Sequence, residues 1–424
     1  MLRSCTFFLT TFLIIGCANV PLLREMRSYQ RAPAEADADI YGERALANSP
    51  FQKIREINYN SISPAILDYV ETRPTQEKYL NADQRWAWTM NKANTQPENF
   101  HILDFQSDTS PQQLLAEAKR KNPKALKYLA DGGINESWIT HKKVNRLYAY
   151  QVSGRAAKEL PTVLIWAKEH GDEFNTAEFV QEMADFFLFH LKGKGDPSLN
   201  TVIQKLFTKI NLVVVPDMTP DKDFLSVKTH KVVPEDYNDF MQVLQPFNYD
   251  SENPDDYLAA PEAAFLRKLI LNLKQARLGI DIHDPNNISV IADPAPSVAE
   301  ANRFLIVEAT HTAQCVVQYG EPKDRYIQGL CGSGVYRTEH EGISKGRENA
   351  ASFFSRTKNA PSIFLELFIQ NLSRIKNWSE CHHANPKEQT CTYTIVREHL
   401  KAYIPYFLRL FEIIAYDDTI RPMP

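Results

Sequence analysis

The sequence predicts an α/β fold in which helices cover both faces of a mainly parallel sheet. Beyond about residue 140, short and almost continuously apolar segments alternate with longer segments in which apolar residues recur at the helical period. Continuous apolar runs are typical of parallel strands, because such strands are buried on both faces. Strands that are separated by helices form a sheet between two helical layers. No internal repeat is visible.

Six segments have the composition of strands. Each is rich in β-branched, aromatic or other apolar residues over a length that suits a strand. The predicted strands are residues 144–152, 160–167, 212–216, 278–283, 304–309 and 363–367.

Four segments have the periodicity of helices. In the first, Asn175 and Thr176 are expected to cap the N-terminus, and the helix is expected to end at Gly193. The other three predicted helices are residues 263–276, 347–355 and 395–415, the last with a proline inside it.

The first 16 residues have the pattern of a secretion signal. Arg3 precedes an apolar segment, 7–15, of about ten residues, whereas a helix needs about 20 apolar residues to span a bilayer. Residues 14–17, Ile-Ile-Gly-Cys, resemble the lipobox of bacterial lipoproteins. The resemblance implies lipidation of Cys17 and anchoring to a membrane, and Ala18 implies sorting to the outer membrane. The alternative is an ordinary cleaved signal with a chance cysteine.

The rest of the chain divides into three segments. Residues 17–50 contain a small, acidic and aperiodic tract, which is typical of a tether. Residues 51–135 alternate short apolar clusters with proline and polar residues, and we expect a helical extension whose role the sequence does not reveal. The α/β pattern occupies residues 136–418, the predicted catalytic domain.

The charge of the chain excludes one class of partner. Its 48 basic and 52 acidic residues give a net charge of −4, which is too balanced for a nucleic-acid-binding protein. We therefore expect no nucleic-acid partner.

Export would place the remaining cysteines in an oxidising compartment, where thiols form disulfides. After processing, the cysteines are Cys315, Cys331, Cys381 and Cys391. Proximity in sequence favours the pairs 315–331 and 381–391, although four cysteines permit three connectivities.

Polar residues at the predicted strand ends indicate a metal site. His170 and Glu173 directly follow the strand at 160–167, and His283 ends the strand at 278–283. Catalytic zinc commonly takes three such ligands from imidazole and carboxylate groups and leaves a fourth position for water. These three residues are therefore the predicted zinc ligands.

Two further carboxylates have predicted roles at this site. Strand alternation places Asp281 on the same face as His283, where it would support that ligand. Glu366 is the acidic residue of an otherwise apolar strand, and a buried carboxylate is costly unless it has a role or a partner. Water on zinc needs a base as it attacks a carbonyl, and Glu366 is the candidate.

The order of these motifs resembles that of the zinc carboxypeptidase family over about residues 140–415. The family has His-x-x-Glu after an apolar strand, usually as His-Gly-Asn-Glu, and residues 170–173 read His-Gly-Asp-Glu. Residues 215–221 partially match the family's Asn-Pro-Asp-Gly turn. Residues 281–283 match the strand end that provides the third ligand, and Glu366 matches the catalytic glutamate of a late strand.

The resemblance implies an eight-stranded mixed sheet between helices, one zinc ion per chain, and hydrolysis of a peptide or related amide. It also implies that Glu366 acts first as the general base and then as the acid that protonates the leaving amine.

Substrate recognition departs from the family pattern. Carboxypeptidases place an Asn-Arg pair between the second and third ligands, whereas here the pair at 302–303 comes after His283. The remaining candidates for substrate binding are Lys228, Lys231, Tyr326 and Tyr336. A lysine cannot form the bidentate contact that arginine makes with a carboxylate.

We therefore expect an exported, lipid-anchored zinc hydrolase that acts on peptides of the periplasm or cell wall. One alternative uses the same site on an N-acyl amino acid, as in the related desuccinylases and aspartoacylases, although those also carry an Asn-Arg pair. Another alternative is a binding lipoprotein that retains the fold without catalysis.

Overall fold

The computed structural model describes parts of the chain between residues 51 and 420, and all of them belong to one compact unit, residues 50–424. The described residues are 51, 54–73, 80, 82–106, 147–154, 160–169, 173–218, 220, 261–283, 301, 304–306, 308–309, 312, 350–367 and 390–420. The predicted signal and tether lie outside them.

The described strands form one mixed sheet. They are β1 (Phe100–Gln106), β2 (Leu147–Ser153), β3 (Thr162–Ala167), β4 (Asn211–Val215), β5 (Ala276–His283) and β6 (Ser362–Glu366). Their order across the sheet is β1-β2-β4-β3-β5-β6. Strands β4, β3, β5 and β6, which are neighbours in this order, run parallel to one another. Strand β2 is antiparallel to β4, and β1 is antiparallel to β2. The predicted α/β fold with a mixed, mainly parallel sheet is confirmed.

One predicted strand was wrong. The described residues between 304 and 309 are helical, as are Ala301 and Thr312. A short apolar run does not by itself distinguish a buried strand from a buried helix. The buried residues Leu305, Glu308 and Thr312 have the spacing of one helical face, so this segment is a buried helix.

The helices with defined bounds among the described residues include the four predicted ones. They are α1 (Tyr59–Thr72), α2 (Ala82–Thr95), α3 (Phe174–Leu191), α4 (Pro197–Phe207), α5 (Pro261–Asn272), α6 (Ala350–Lys358) and α7 (Thr390–Tyr416). The predicted helices correspond to α3, α5, α6 and α7.

The start of one helix differs from prediction, and one further helix was not predicted. Asn175 and Thr176 lie in the first turn of α3 instead of capping it, and the Thr176 hydroxyl donates a hydrogen bond to the carbonyl oxygen of Glu173 at 2.7 Å. Helix α4 was not predicted. It begins after Asp196, whose carboxylate accepts hydrogen bonds from the backbone N–H groups of Ser198 and Leu199.

Helices α5 and α6 cover one face of the sheet. Leu164 and Trp166 of β3 lie in this core with Phe265 of α5 and Phe354 of α6. Helix α6 approaches β5 very closely at Gly279, where an added Cβ would lie 2.7 Å from Cδ1 of Phe354. Glycine is therefore required at this point of β5.

Helix α3 covers the opposite face and packs against β2, β3, α4 and α7. Its contact with α7 is aromatic: the ring centroids of Phe179 and Phe407 are 5.8 Å apart, and those of Phe187 and Phe411 are 5.6 Å apart. Aromatic rings at such separations add to the free energy of burial. This layer holds the long helix α7 against the sheet.

The N-terminal segment is tied to the α/β part by α7 and by the sheet. Glu412 of α7 accepts hydrogen bonds from the backbone N–H groups of Glu56 and Ile57 at 2.5 and 2.6 Å, and from the hydroxyl of Tyr59 at 2.9 Å. Helix α1 packs on α7 and α4, and β1 extends the sheet beyond β2. Residues 51–106 are therefore continuous with the main fold and contain a strand as well as helices.

No helix in the described part of the chain has the length and apolar character that a membrane crossing requires.

We predict that Gly279→Ala lowers the free energy of unfolding by about 1–3 kcal/mol, because the new methyl group overlaps the ring of Phe354. Urea unfolding followed by circular dichroism measures the effect. In a Phe354→Leu background the same substitution should cost less, since the smaller side chain leaves room. An equal loss in both backgrounds would contradict the steric explanation.

Candidate metal centre

The candidate centre begins where β3 ends. The chain leaves β3 at Ala167, and Lys168 adopts a left-handed backbone conformation with a φ of 57°. This conformation is uncommon for residues other than glycine. Glu169 follows and is buried, and Glu173 is the N-cap residue of α3. Two carboxylates therefore lie in the turn between β3 and α3.

Strand β5 provides the other polar side chains of the centre. Asp281 and His283 are two residues apart and share a face of the sheet. The register places Asp281 beside Trp166 of β3 and His283 beside Glu366 of β6. Because β3, β5 and β6 are parallel, their C-terminal ends meet at one edge of the sheet.

Three carboxylates of the described residues surround the imidazole of His283. Oε2 of Glu173 lies 3.2 Å from Nδ1, Oδ1 of Asp281 lies 3.0 Å from Nε2, and Oε2 of Glu169 lies 3.6 Å from Nε2. The side chains of His283, Asp281 and Glu169 are each 1% exposed, and that of Glu173 is 12% exposed. This is a buried and strongly negative site.

The surroundings change the pKa of His283 in opposite directions. Burial lowers the pKa, but the negative charges of Asp281 and Glu173 and hydrogen bonds to Asp281 and Glu169 raise it more. The pKa of His283 is therefore well above its ordinary value. In the absence of a metal, the proton on the ring supplies positive charge among the carboxylates.

The two nitrogens of His283 define two sets of ligand atoms. Atoms bound to one tetrahedral zinc ion at about 2.0–2.1 Å lie about 3.3 Å apart, and the 3.2 Å between Nδ1 and Glu173 fits this value. The 3.0 Å between Nε2 and Oδ1 of Asp281 is that of a close ion pair when the ring is protonated. Nδ1, which faces the predicted ligand Glu173, is the candidate metal-binding nitrogen, and a carboxylate in the place of Asp281 would orient the ring.

The second set lies on the Nε2 side of the ring. Glu169, Asp281 and His283 offer ligand atoms that all lie within 4.8 Å of one another, and this buried group is itself able to hold a metal ion. Carboxylate and imidazole donors suit zinc in either set.

The structure brings together Glu173, Asp281 and His283, which the sequence placed at one site. Glu366 is the neighbour of His283 in the register of β5 and β6, but its side chain is outside the described residues, as is His170. The other predicted site residues outside the described part are Lys228, Lys231, Tyr326, Tyr336, Cys17, Cys315, Cys331 and Cys381. Cys391 lies in the first turn of α7, and its side chain is not described. The roles of all these residues stay predictions.

Sequence reasoning missed Glu169. The His-x-x-Glu spacing identifies positions 170 and 173 and gives no role to the glutamate that precedes His170. The left-handed conformation of Lys168 accompanies the burial of the next side chain, and it has no signature in the sequence because lysine seldom adopts it. The sequence signal that could have identified Glu169 is its position directly before the candidate ligand His170.

No family profile and no curated protein matches this chain. Solved structures do match. One is the thrombin activatable fibrinolysis inhibitor, at 12% identity and a TM-score of 0.46, over 82% of this chain and 80% of that chain. Another is carboxypeptidase A from Helicoverpa armigera, at 11% identity and a TM-score of 0.44, over 88% and 80%.

A third is a metallo-carboxypeptidase from Pseudomonas aeruginosa in complex with (2-guanidinoethylmercapto)succinic acid, at 15% identity and a TM-score of 0.38, over 77% of this chain and 69% of that chain. The chain is similar to metallocarboxypeptidases. At identities of 11–15% these likenesses concern the fold alone.

A cavity of about 400 Å³ lies at the opposite end of α3 from the candidate centre. It forms near the C-terminal ends of α1, α2 and α3, and Arg73, Lys92 and Lys192 line it. Cations are favourable at helix C-termini because they neutralise the helix dipole. An 18-residue helix is about 27 Å long, so this cavity is separate from the metal centre.

We predict that Glu173→Gln weakens zinc binding by more than about 100-fold, because it removes a ligand. Glu169→Gln should weaken it by about 10–100-fold, which is typical of a residue next to the ligands. Competition with a chromophoric chelator measures both. For the unaltered protein, zinc affinity should rise with pH, since the metal must displace the proton held by the raised pKa of His283.

His190→Gln is the control, because His190 is buried near the far end of α3 and should leave zinc affinity unchanged. A larger loss in Glu169→Gln than in Glu173→Gln would assign the ligands to the Nε2 side of His283.

Proposed function

We propose that this protein is a zinc-dependent hydrolase of the carboxypeptidase type that cleaves a peptide or amide bond. The observation that carries the proposal is the environment of His283, with Glu173 at the distance of a fellow ligand and Asp281 at the distance of a hydrogen-bond acceptor. Zinc sites of hydrolases combine imidazole and carboxylate ligands in this way and orient the histidine with a second carboxylate.

His170, Glu173 and His283 would hold one zinc ion in this proposal. A bound zinc ion supplies Lewis acidity and lowers the pKa of water. Asp281 lies 3.0 Å from Nε2 and favours a proton on that nitrogen, which would leave the lone pair of Nδ1 directed toward Glu173. This arrangement favours zinc binding by neutral imidazole.

Glu366 is the proposed base. It ends β6 and is the register partner of His283, so its backbone is next to that of a metal ligand. It would take the proton of the attacking water and return it to the leaving amine. Cleavage of a peptide or amide bond needs both proton transfers, because the amine must be protonated as it leaves.

The proposed location follows from the signal at residues 1–16. We propose that the chain is exported, anchored through a lipid on Cys17 to the outer membrane, and active on peptides of the periplasm or cell wall. The lipobox and Ala18 support this location, and the wall-peptide substrate is inferred from the location.

We predict that Glu366→Gln retains zinc and loses at least about 100-fold in kcat against peptides, because general acid–base catalysis contributes factors of this size. Zinc content by atomic absorption and hydrolysis of a peptide library measure the two quantities. N-acyl amino acids serve as the comparison substrates, and their preferential cleavage would favour the desuccinylase-like alternative.

Glu182→Gln is the control for the loss of a carboxylate, since Glu182 lies in the middle of α3 and pairs with Arg73. Full activity of Glu366→Gln would exclude it as the base. A wild-type protein that binds no zinc would favour the non-catalytic binding lipoprotein.

We predict that Cys17→Ser moves the protein from the membrane fraction to the soluble periplasmic fraction. The reason is that the hydroxyl of serine does not replace the thiol in lipid transfer. Wild type and Cys17→Ser are expressed separately in a bacterium that has an outer membrane, and cell fractionation measures the location of each protein. Cys391→Ser is the control for general effects of cysteine loss, and identical fractionation of Cys17→Ser and wild type would contradict the anchor.

A further inference from the structure

Lys168 occupies a strained position directly before the candidate metal centre. Its φ of 57° lies in the left-handed region, which is unfavourable for residues with a Cβ. Its side chain is only 1% exposed although it is cationic. A strained backbone and a buried charge persist together only when surrounding contacts hold them in place.

The first of these contacts is an ion pair with Asp217. Nζ of Lys168 donates to Oδ1 of Asp217 at 3.0 Å and to Oδ2 at 3.1 Å. Asp217 follows β4, the parallel neighbour of β3, and the N–H of Met218 donates to the carbonyl oxygen of Ala167 at 3.0 Å. The ends of β3 and β4 are thus joined by both side chain and backbone immediately before Glu169.

The second contact comes from the N-terminal segment. Arg85 of α2 is buried, and its guanidinium lies 3.5 Å from Asp217 and 3.0 Å from Glu178 of α3. Nη2 of Arg85 donates a hydrogen bond to the carbonyl oxygen of Leu80 at 2.6 Å. The N–H of Leu80 donates to Glu178 at 2.7 Å.

Arg85 therefore connects the two sides of the turn that carries the acidic side chains of the centre. Asp217 and Lys168 fix the strand before the turn, and Glu178 lies just over one helical turn after Glu173. The two cations, Lys168 and Arg85, are matched by two carboxylates of the same network. Their positive charges are thus engaged by Asp217 and Glu178.

We propose that Lys168 is a positioning residue for the metal centre, and that Asp217 and Arg85 hold it so that the turn presents Glu169 and Glu173 to His283. The N-terminal segment completes the centre through Arg85. This inference rests on the proposed metal-dependent function. It gives residues 51–106 a role that the sequence did not reveal.

A purely structural ion pair would behave differently from a positioning one. Buried ion pairs are often replaced by apolar residues of similar size without loss of stability. Loss of a positioning pair would lower metal affinity even after such a replacement, because the apolar pair does not hold residue 168 in its left-handed conformation.

The test compares zinc affinity and thermal stability in the full-length protein. Asp217→Asn and the double variant Lys168→Met/Asp217→Leu should each bind zinc about 10–100-fold more weakly than wild type, as outer contacts of metal sites do. The double variant should keep its melting temperature within a few degrees. The double variant therefore still tests the proposal if Asp217→Asn, which leaves the charge of Lys168 buried, folds poorly.

Glu182→Gln is the matched control. Glu182 is as buried as Asp217, pairs with Arg73 at 3.0 Å, and lies on α3 one turn beyond Glu178. It should leave zinc affinity unchanged. Unchanged zinc affinity in a folded double variant would overturn the positioning role alone, whereas a wild-type protein that binds no zinc would overturn the proposed function and this inference together.

Discussion

The negative charge around His283 is the constraint on which the site depends. Glu169, Asp281 and Glu173 all lie within 3.6 Å of its ring nitrogens, and two of the three carboxylates are fully buried. Removing charges from water costs several kcal/mol per ion unless opposite charge compensates it. The compensating charge is the proton on His283 or a metal cation, and a metal cation would also account for carboxylates beside both ring nitrogens.

The sheet places these groups together although they are far apart in the chain. Asp281 and His283 are more than 100 residues from Glu169, yet β3 and β5 are adjacent and parallel, with Trp166 beside Asp281 in the register. Gly279 allows α6 to approach β5 and thereby covers this part of the sheet with apolar side chains. The low dielectric of that layer strengthens the attraction of the site for a cation.

The sequence predicted the elements whose signals are local and strong. The strands that became β3, β4 and β5 are continuous apolar runs of strand length, and the residues at their ends identified Glu173, Asp281 and His283. The segment 304–309 has the same composition and is helical, because composition without period does not separate the two states.

What the sequence left out depends on contacts between distant residues. The burial of Glu169 accompanies a left-handed Lys168, and the contact of Lys168 with Asp217 spans two strands. Helix α4 is an exception, because its start is a local signal: Asp196 as the N-cap residue, followed by Pro197. The contact between Arg85 of α2 and Asp217, which follows β4, joins residues 132 positions apart, and no sequence periodicity indicates it.

In the proposed site the two nitrogens of His283 have separate roles, which follow from where the carboxylates lie. The carboxylate of Asp281, 3.0 Å from Nε2, favours the tautomer that carries its proton on Nε2. Nδ1 then has a free lone pair when the ring is neutral, and it faces Glu173. Asp281 also raises the basicity of the ring, which strengthens a bond to a metal but equally strengthens the competing bond to a proton. Metal binding at this site is therefore an exchange of one cation for another, and the network of Lys168, Asp217 and Arg85 keeps the carboxylates in place for both.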